Sequence, residues 1–334
     1  MGNGTKNEDS LIIVRGAGDL ATGVIYALWM AGYPVIALEV AQPTAIRHAV
    51  AISEAVYDGS AVVEGMEGIL ANSTEEALQI ISSGKVAVMV DPDGSFIRTL
   101  QPTVVVDAIL AKGNLGTHHD MAPLTIALGP GFVAGSAEAG SAELGSSELG
   151  SAEPGSAEAG SAELGSSELG SAEPGNAEAA AESMSARSIA DVDVVIETMR
   201  GHNLGRLILS GSALPNTGVP GSIAGHAADR VMHTTAAGVF RCVRAIGDSV
   251  NKGDVIAFVE TEKGERVPVE ATLTGILRGI LRDGTIVPVH MKAADIDPRP
   301  DQRQNCFTIS DKSRSIGNSV LMAIEAWRSG RLRR

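Results

Sequence analysis

A short apolar segment, a glycine-rich turn and a helical stretch together most restrict the folds open to this chain. Residues 11–15 read LIIVR, a β-branched apolar run typical of a buried parallel strand. The following residues, GAGDLATG, fit the pattern G-x-G-x-x-G/A through Gly16, Gly18 and Ala21. A helix is expected over 20–30, and it ends before a glycine. The order strand, turn, helix predicts the first unit of a parallel α/β sheet.

A second strand with an acidic end favours a nucleotide-binding role for this turn. The apolar run 34–40 contains Glu39, twenty-one residues after Gly18, where dinucleotide-binding units place an acid for the ribose hydroxyls. Glycines permit a tight turn and a close backbone approach to a pyrophosphate, and the helix N-terminus adds positive potential. We therefore expect the cofactor-binding residues to include Gly16, Gly18, Ala21, Gly23 and Glu39. A tight turn without any bound dinucleotide remains the alternative.

Asp19 does not fit the phosphate interpretation, because its negative charge lies where a pyrophosphate would bind. It is also a good helix N-cap residue, so an alternative is that its carboxylate accepts hydrogen bonds from the helix amides.

The alternation continues with a helical stretch at 74–82 and strands at 85–90 and 103–110. This pattern predicts an α/β fold with a Rossmann-like parallel sheet over residues 9–134. Ligands collect at the carboxyl ends of such strands, which makes the polar residues after the later strands candidate catalytic groups: Asp107, Lys112, Asn114, Arg200 and His202. His118 and His119 are adjacent and lack a third ligand, so no metal site is predicted.

A five-residue repeat, Gly-Ser-x-Glu-x, dominates residues 135–190. A period of five matches neither a helix nor a strand, so we expect a disordered low-complexity insert in a connection, with an acidic partner-binding tether as the alternative. Residues 135–182 hold ten glutamates and no Lys or Arg, which leaves 26 basic and 30 acidic residues elsewhere. The net charge of −14 therefore comes mostly from the insert. No basic face for nucleic acid or for an anionic membrane is implied.

Short β segments separated by Gly-Asp turns follow the insert. They predict a β-rich domain over 191–310, and the part at 233–298 resembles a barrel-sandwich domain of the biotinyl/lipoyl type. Lys263 is expected to be an ordinary hairpin lysine, so neither covalent lipoyl nor biotin is expected. Residues 311–334 are expected to form a helix and a basic tail.

Long segments distributed over nearly the whole chain resemble one family. In order along the chain they include VRGAGDLATGVIYALWMAGYPVIALE, VVVDAILAKGNLGT, APLTIALGPGFVAG, DVDVVIETMRGHNLGR and KAADIDPR. They resemble the YqeB-type accessory proteins of the selenium-dependent molybdenum hydroxylase system. The resemblance implies a role in maturing such hydroxylases by handling the molybdenum cofactor or its selenium ligand. The implied partners are a molybdenum hydroxylase or other cofactor-maturation proteins.

The resemblance draws attention to two further loops. Gly129 and Gly131 follow one apolar strand, and Arg200 and His202 follow the next. Molybdopterin carries a phosphate, for which glycine-rich backbone and arginine are suitable ligands, whereas a plain turn and a surface cation are the alternative. The expected cofactor is NAD(P), another nucleotide, or molybdopterin. A free-standing NAD(P)-dependent oxidoreductase and a scaffold that docks a hydroxylase remain rival functions, and whether the chain is an enzyme stays open.

The cysteines and the N-terminal composition favour a cytoplasmic location. Cys242 and Cys306 are isolated, and residues 1–10 lack the basic and apolar pattern of a signal peptide. A homo-oligomer is left open by the sequence.

Overall fold

The computed structural model describes residues 10–111, 113–135, 190–218 and 221–332. The predictions for Lys112 and for residues 136–189 of the repeat lie outside the described residues.

A nine-stranded sheet is the centre of the α/β part, in the order β3-β4-β5-β2-β1-β6-β7-β8-β9. Neighbouring strands are parallel, except that β3 pairs antiparallel with β4 and β8 with β9. The strands are β1 (Ile12–Arg15), β2 (Val35–Glu39), β3 (Ser60–Val63), β4 (Met66–Ala71), β5 (Val86–Val90), β6 (Val104–Asp107), β7 (Leu124–Leu128), β8 (Val194–Ile196) and β9 (Leu207–Ile208).

Helices cover both faces of this sheet, which explains why its central strands are almost entirely apolar. The helices are α1 (Asp19–Met30), α2 (Ala55–Asp58), α3 (Thr74–Ser82), α4 (Ser95–Leu100) and α5 (Asp311–Arg328). Ile12 and Val14 of β1 point into a core shared with α1 and α5, whereas Ile13 points into a second core shared with α3 and α4. The helix expected near the end of the chain therefore packs on the first helix of the fold.

The α1 and α5 helices cross at two glycines. An ideal Cβ built on Gly23 would lie 2.6 Å from both Cβ and the backbone oxygen of Ser313. A Cβ on Gly317 would lie 2.3 Å from the backbone oxygen of Gly23. Side chains at either position would push the helices apart, so both glycines allow the close approach.

Two four-stranded antiparallel sheets, which we call the β module, span residues 231–297. Their orders are β10-β17-β15-β12 and β14-β13-β11-β16. The strands are β10 (Val231–His233), β11 (Gly238–Cys242), β12 (Ser249–Val250), β13 (Val255–Glu260), β14 (Arg266–Glu270), β15 (Gly275–Ile280), β16 (Ile286–Val287) and β17 (Lys292–Asp297). Phe240, Leu277 and Ile296 are among the fully buried residues of their shared core. The barrel-sandwich assignment stays a prediction.

The boundary expected at residue 191 does not coincide with a boundary between sheets. The structure adds β8 and β9 to the large sheet, because β8 pairs parallel with β7 and β9 pairs with β8. The short apolar strands of this region thus extend the α/β part rather than starting the β-rich one.

Backbone and side-chain contacts attach the β module to the α/β part. The amide of Ile280 donates to the carbonyl of Ile46 over 2.8 Å. Arg282 forms ion pairs of 2.6 Å with both Glu54 and Asp58, and its guanidinium lies 4.7 Å from the ring centre of Tyr57. Residues 10–135 and 190–332 fall within one compact unit, so a site can form between the two parts. No helix in these residues combines the length and the apolar character needed to cross a membrane.

Candidate functional site

A cavity of about 600 Å³ lies between the glycine-rich turn after β1 and the β module. Gly16, Gly18 and Ala21 line its α/β side, and Arg278 and Asp295 are among the residues that line its other side. The cavity is therefore at the carboxyl end of the central strand, the usual place for ligands in an open α/β sheet.

The first two glycines of the turn have different structural roles. Gly16 has a φ of +98°, and a Cβ there would lie 2.9 Å from the backbone oxygen of Ala108, so this position requires glycine. Gly18 has an ordinary φ of −69°, and a Cβ there would meet nothing within 4 Å. Gly18 therefore exposes its backbone to open space beside the cavity, as a close approach of a phosphate requires.

The N-terminus of α1 offers unpaired backbone donors to the cavity. The first helical bond runs from the amide of Thr22 to the carbonyl of Gly18 over 2.8 Å, and no side chain caps the helix. In the described part of the chain, no acceptor contacts the amides of Asp19, Leu20 and Ala21. Such amides, together with the helix dipole, bind anions.

Arg47 neutralises the carboxylate of Asp19. Its Nη1 lies 3.0 Å from each carboxylate oxygen, and Ser313 Oγ also donates to Asp19 over 3.2 Å. Nη2 of Arg47 donates to the carbonyls of Asn305 and Thr308, each over 3.1 Å. The arginine is only 4% exposed. The capping alternative for Asp19 is thus not observed, and its charge is balanced where an anion would otherwise be repelled.

Glu39 fastens the glycine-rich turn. Its Oε2 accepts the amide hydrogen of Ala17 and its Oε1 that of Val40, both over 2.8 Å. Burial raises the pKa of Glu39, and the two backbone hydrogen bonds oppose this rise. Glu39 lines the cavity as expected. A ligand hydroxyl that donated to Glu39 would share its carboxylate oxygens with the backbone amides of the turn.

Two basic side chains approach the cavity near the start of α5. Arg200 makes a bidentate pair with Asp311, with distances of 2.8 and 2.9 Å. Lys312 lines the same cavity, and no ion pair with it is found among the described residues. Burial lowers the pKa of Lys312 and the nearby charge of Arg200 lowers it further, whereas the carboxylates of Asp19, Glu197 and Asp311 oppose this effect. Lys312 therefore lines the cavity with carboxylates nearby but without a direct ion pair in the described part of the chain.

A second basic group comes from the β module. Oδ2 of Asp295 lies 3.4 Å from Arg230 Nη2 and 3.3 Å from Arg278 Nη1. Lys292 lines the cavity beside them, and its surface stays accessible because the cavity is open. The surrounding protein nevertheless lowers the pKa of Lys292 by desolvation; Asp295 opposes this effect, and Arg230 and Arg278 add to it. Asp297 also interacts with Arg230 and Arg278, and it forms an ion pair of 2.7 Å with Arg299. Two carboxylates thus accompany four cations.

Four polar atoms in the lining of this cavity are buried without a hydrogen-bond partner. They are Arg47 Nε, Ser53 Oγ, Arg230 Nε and Asp295 Oδ1, on residues that are 4%, 0%, 5% and 3% exposed. Buried polar atoms are normally satisfied, so such a concentration around one cavity is typical of a site that awaits a ligand or water.

The predicted strand-end residues Asp107 and Asn114 do not line this cavity. Asp107 accepts hydrogen bonds from Thr117 Oγ1 over 2.6 Å and from the amide of Ile109 over 3.1 Å, and lies 3.8 Å from Arg15. Burial raises its pKa. Asn114 exchanges two hydrogen bonds of 2.8 Å with the backbone of Thr117. Both residues hold the loop after β6 in place.

Gly23, Gly129, Gly131 and His202 also lie outside the cavity lining. Gly23 lies at the helix crossing. Gly129 has a φ of +78°, and its Cβ would lie 2.6 Å from Thr198 Oγ1. Gly131 has a φ of +105° and packs against the backbone of Gly113. His202 is exposed. The two later glycines therefore shape a turn instead of a phosphate cradle.

The cavity brings together the predicted residues Gly16, Gly18, Ala21, Glu39 and Arg200. Sequence reasoning missed most of its cations, which are Arg47, Arg230, Arg278, Lys292 and Lys312. Arg47, Lys292 and Asp295 had a usable signal, because they lie in the segments QPTAIRHAVAISEAVYDG and KAADIDPR on which the family resemblance partly rests.

Comparison with known proteins gives one strong similarity. The chain is 43% identical over 314 residues to "Uncharacterized protein YqeB" of Escherichia coli (strain K12). The match covers 94% of this chain. The similarity supports a YqeB-type family. The match spans 47% of the length of that relative, and no protein-family model matches this chain.

Solved structures resemble this chain only weakly. An aspartoacylase family protein from Mesorhizobium loti has 19% identity and a TM-score of 0.20, over 22% of this chain and 23% of that chain. The product-bound ectoine utilization protein EutE (DoeB) from Ruegeria pomeroyi has 13% identity and a TM-score of 0.24, over 87% and 86%. Similarities of this size carry no argument about fold or function.

Proposed function

We propose that this chain binds an anionic, phosphate-bearing cofactor in the cavity and acts as an accessory protein in the maturation of selenium-dependent molybdenum hydroxylases. Molybdopterin, which carries a phosphate, is the proposed ligand, and the chain would handle the molybdenum cofactor or its selenium. Hydroxylases or other maturation proteins are the proposed partners, and the cytoplasm is the proposed location. The similarity to YqeB supports the family from which this role is inferred.

One observation carries the binding part of the proposal. The lysines Lys292 and Lys312 line the same cavity as the unpaired amides at the start of α1, and neither forms an ion pair among the described residues. Outside residues 135–182 the chain has 26 basic and 30 acidic residues, so it has no general excess of cations that would gather in one cavity. Desolvating a lysine without a partner is unfavourable, so an anionic ligand that compensates it is the simplest physical explanation.

The cavity also has a suitable size. Its volume of about 600 Å³ lies within the ~300–1,000 Å³ usual for cofactor sites. A cofactor there would be held by the α1 amides through its phosphate and by the lysines through its charge. The reactive chemistry would come from the cofactor itself, because a protein contributes mainly binding, orientation and electrostatics to such a group.

Substitution of Gly18 tests the phosphate contact. Gly18→Asp places a negative charge in the open space beside the α1 amides, whereas the matched control Gly18→Ala adds only a methyl group with nothing within 4 Å. We expect Gly18→Asp to weaken binding of molybdopterin at least tenfold in anaerobic calorimetry, and Gly18→Ala to change it less than threefold. Equal affinity of the aspartate variant and the wild type would contradict the proposed site.

A nicotinamide dinucleotide is the second candidate ligand, favoured by the position of Glu39 beside the glycine turn. It would make the chain an NAD(P)-dependent oxidoreductase. Among the described residues that line the cavity there is no His, Tyr or Cys, so a general acid would have to be a lysine or a carboxyl group such as that of Glu39, whose pKa burial raises. Titration with NADH and NADPH in the same calorimetric series separates the two ligands. Tight NADH binding with turnover of a metabolite would replace the maturation role, and binding of neither class would favour a scaffold.

A further inference from the structure

The cations of the cavity come from two places in the fold, the start of α5 and the β module. Lys312 interacts electrostatically with Arg200, Asp19, Glu197 and Asp311. Lys292 interacts instead with Asp295, Arg230 and Arg278, and also with Asp19. Asp19, whose charge Arg47 balances, is the neighbour that both lysines share. The two lysines therefore have largely different charged neighbours, which define an α1 group and a β-module group, although Arg278 also interacts with Asp311.

The β-module group has an excess of positive charge. Near α1, Arg200 is paired with Asp311, and Lys312 lies near the carboxylate of Glu197, so the unpaired helix amides are the donors left for an anion. In the β module, Asp295 and Asp297 are the carboxylates among Arg230, Arg278, Lys292 and Arg299, which leaves two positive charges in excess. A single phosphate at the helix end would leave this excess in place.

The second group also has the buried, unpartnered atoms that indicate a built site. Arg230 is 5% exposed and its Nε has no partner, although its Nη1 donates to the carbonyl of Ile296 over 3.0 Å. Asp295 Oδ1 is equally unpartnered. The arginines hold only the Oδ2 of this carboxylate, so the group keeps capacity for a ligand.

We propose that the cavity is bipartite: a phosphate binds at the N-terminus of α1, and a second, separate oxyanion of the same ligand binds to the β-module group of Arg230, Arg278 and Lys292. This inference rests on the proposed function and deepens it, because it defines the substrate class as a molecule with two anionic groups. It also makes the β module the half of the site that selects among phosphate-bearing ligands. A ligand with one phosphate and a neutral remainder would leave the second group unpaired and bind more weakly.

Linked probes test the two subsites independently of the natural ligand. We compare methylphosphonate, which has one anionic group, with a series of alkane-1,n-bisphosphonates of increasing length, using calorimetry on the full chain. A bivalent probe of the right length gains effective concentration at the second subsite. We expect one length to bind at least tenfold more tightly than methylphosphonate.

Lys292→Gln identifies the second subsite. Its side chain faces the open cavity, so the variant is expected to fold, which thermal melting verifies. It should abolish the gain of the bisphosphonate while methylphosphonate remains bound at the helix end. Lys263→Gln, which removes the same charge from a hairpin outside the cavity, should keep the full gain.

The outcomes distinguish the inference from the proposed function. If no bisphosphonate length binds more tightly than methylphosphonate, or if Lys292→Gln leaves the gain intact, the second subsite is refuted and the helix-end site stands. If methylphosphonate does not bind, or binds equally to Gly18→Asp, the phosphate site fails and the bipartite cavity fails with it.

Discussion

Replacing Gly23 by alanine tests the crossing of α1 and α5 because two effects of opposite sign compete there. In a helix interior, alanine is more favourable than glycine by about 0.5–1 kcal/mol. Against this, the new Cβ would lie 2.6 Å from both Cβ and the backbone oxygen of Ser313, well inside the ~3.5–4.0 Å of an ordinary contact. The helices would have to separate by about 1 Å.

The steric effect should win. Overpacking a well-filled interior costs about 1–3 kcal/mol, and this site lies toward the upper end because the contacts include backbone atoms that cannot rotate away. Subtracting the gain in helix propensity leaves a destabilisation of about 2 kcal/mol. For a chain of this size that corresponds to a fall in Tm of about 3–4 °C.

Chemical denaturation followed by far-UV circular dichroism measures the change. Asn318→Ala provides the control, because it adds helix propensity at an exposed position of α5 and should stabilise the chain by about 0.5 kcal/mol. Gly317→Ala should be at least as destabilising as Gly23→Ala, since its Cβ would lie 2.3 Å from the backbone oxygen of Gly23. A Gly23→Ala variant as stable as the wild type would refute the close crossing.

Two further predictions concern single side chains. Arg47→Met leaves the carboxylate of Asp19 and the carbonyls of Asn305 and Thr308 without their donor. We therefore expect the free energy of unfolding, measured by urea denaturation, to fall by about 3–5 kcal/mol. A fall below about 1 kcal/mol would contradict the buried ion pair. Burial raises the pKa of the Cys242 thiol to about 11. Alkylation of this thiol by iodoacetamide, measured by mass spectrometry, should therefore be slow at neutral pH and accelerate about tenfold per pH unit toward that pKa. Rapid alkylation at neutral pH would instead show that the thiolate is already present.

Local patterns predicted the side of the cavity that is built from neighbouring residues. The strand expected at 85–90 is confirmed as Val86–Val90, and the turn with Gly16 and Gly18 lies beside Glu39 because three consecutive elements determine that geometry. Arg200 was found because it follows a strand whose carboxyl end meets the same edge of the sheet.

The side of the cavity that the β module forms could not be predicted from local sequence patterns. Lys292 and Arg230 reach the turn only because the β module docks through Ile46, Arg47 and Arg282, contacts that no periodicity reveals. Asp107 was predicted as a site residue but does not line the cavity. It lies at a strand end as expected, but Arg15 and Thr117 bind its carboxylate inside the loop.

The attachment points of the repeat have a consequence for how the chain tolerates changes in length. The amide of Gly135 donates to the carbonyl of Val192 over 3.1 Å, and that of Asp191 donates to Val133 over 2.8 Å, so the sequence between them leaves and re-enters the fold at one place. Removing one of the two identical twenty-residue copies would change the free energy of closing such a connection by only about 0.4 kcal/mol. Duplication or loss of repeat units is therefore expected to be nearly neutral for folding, because both ends of the segment stay attached at the same place.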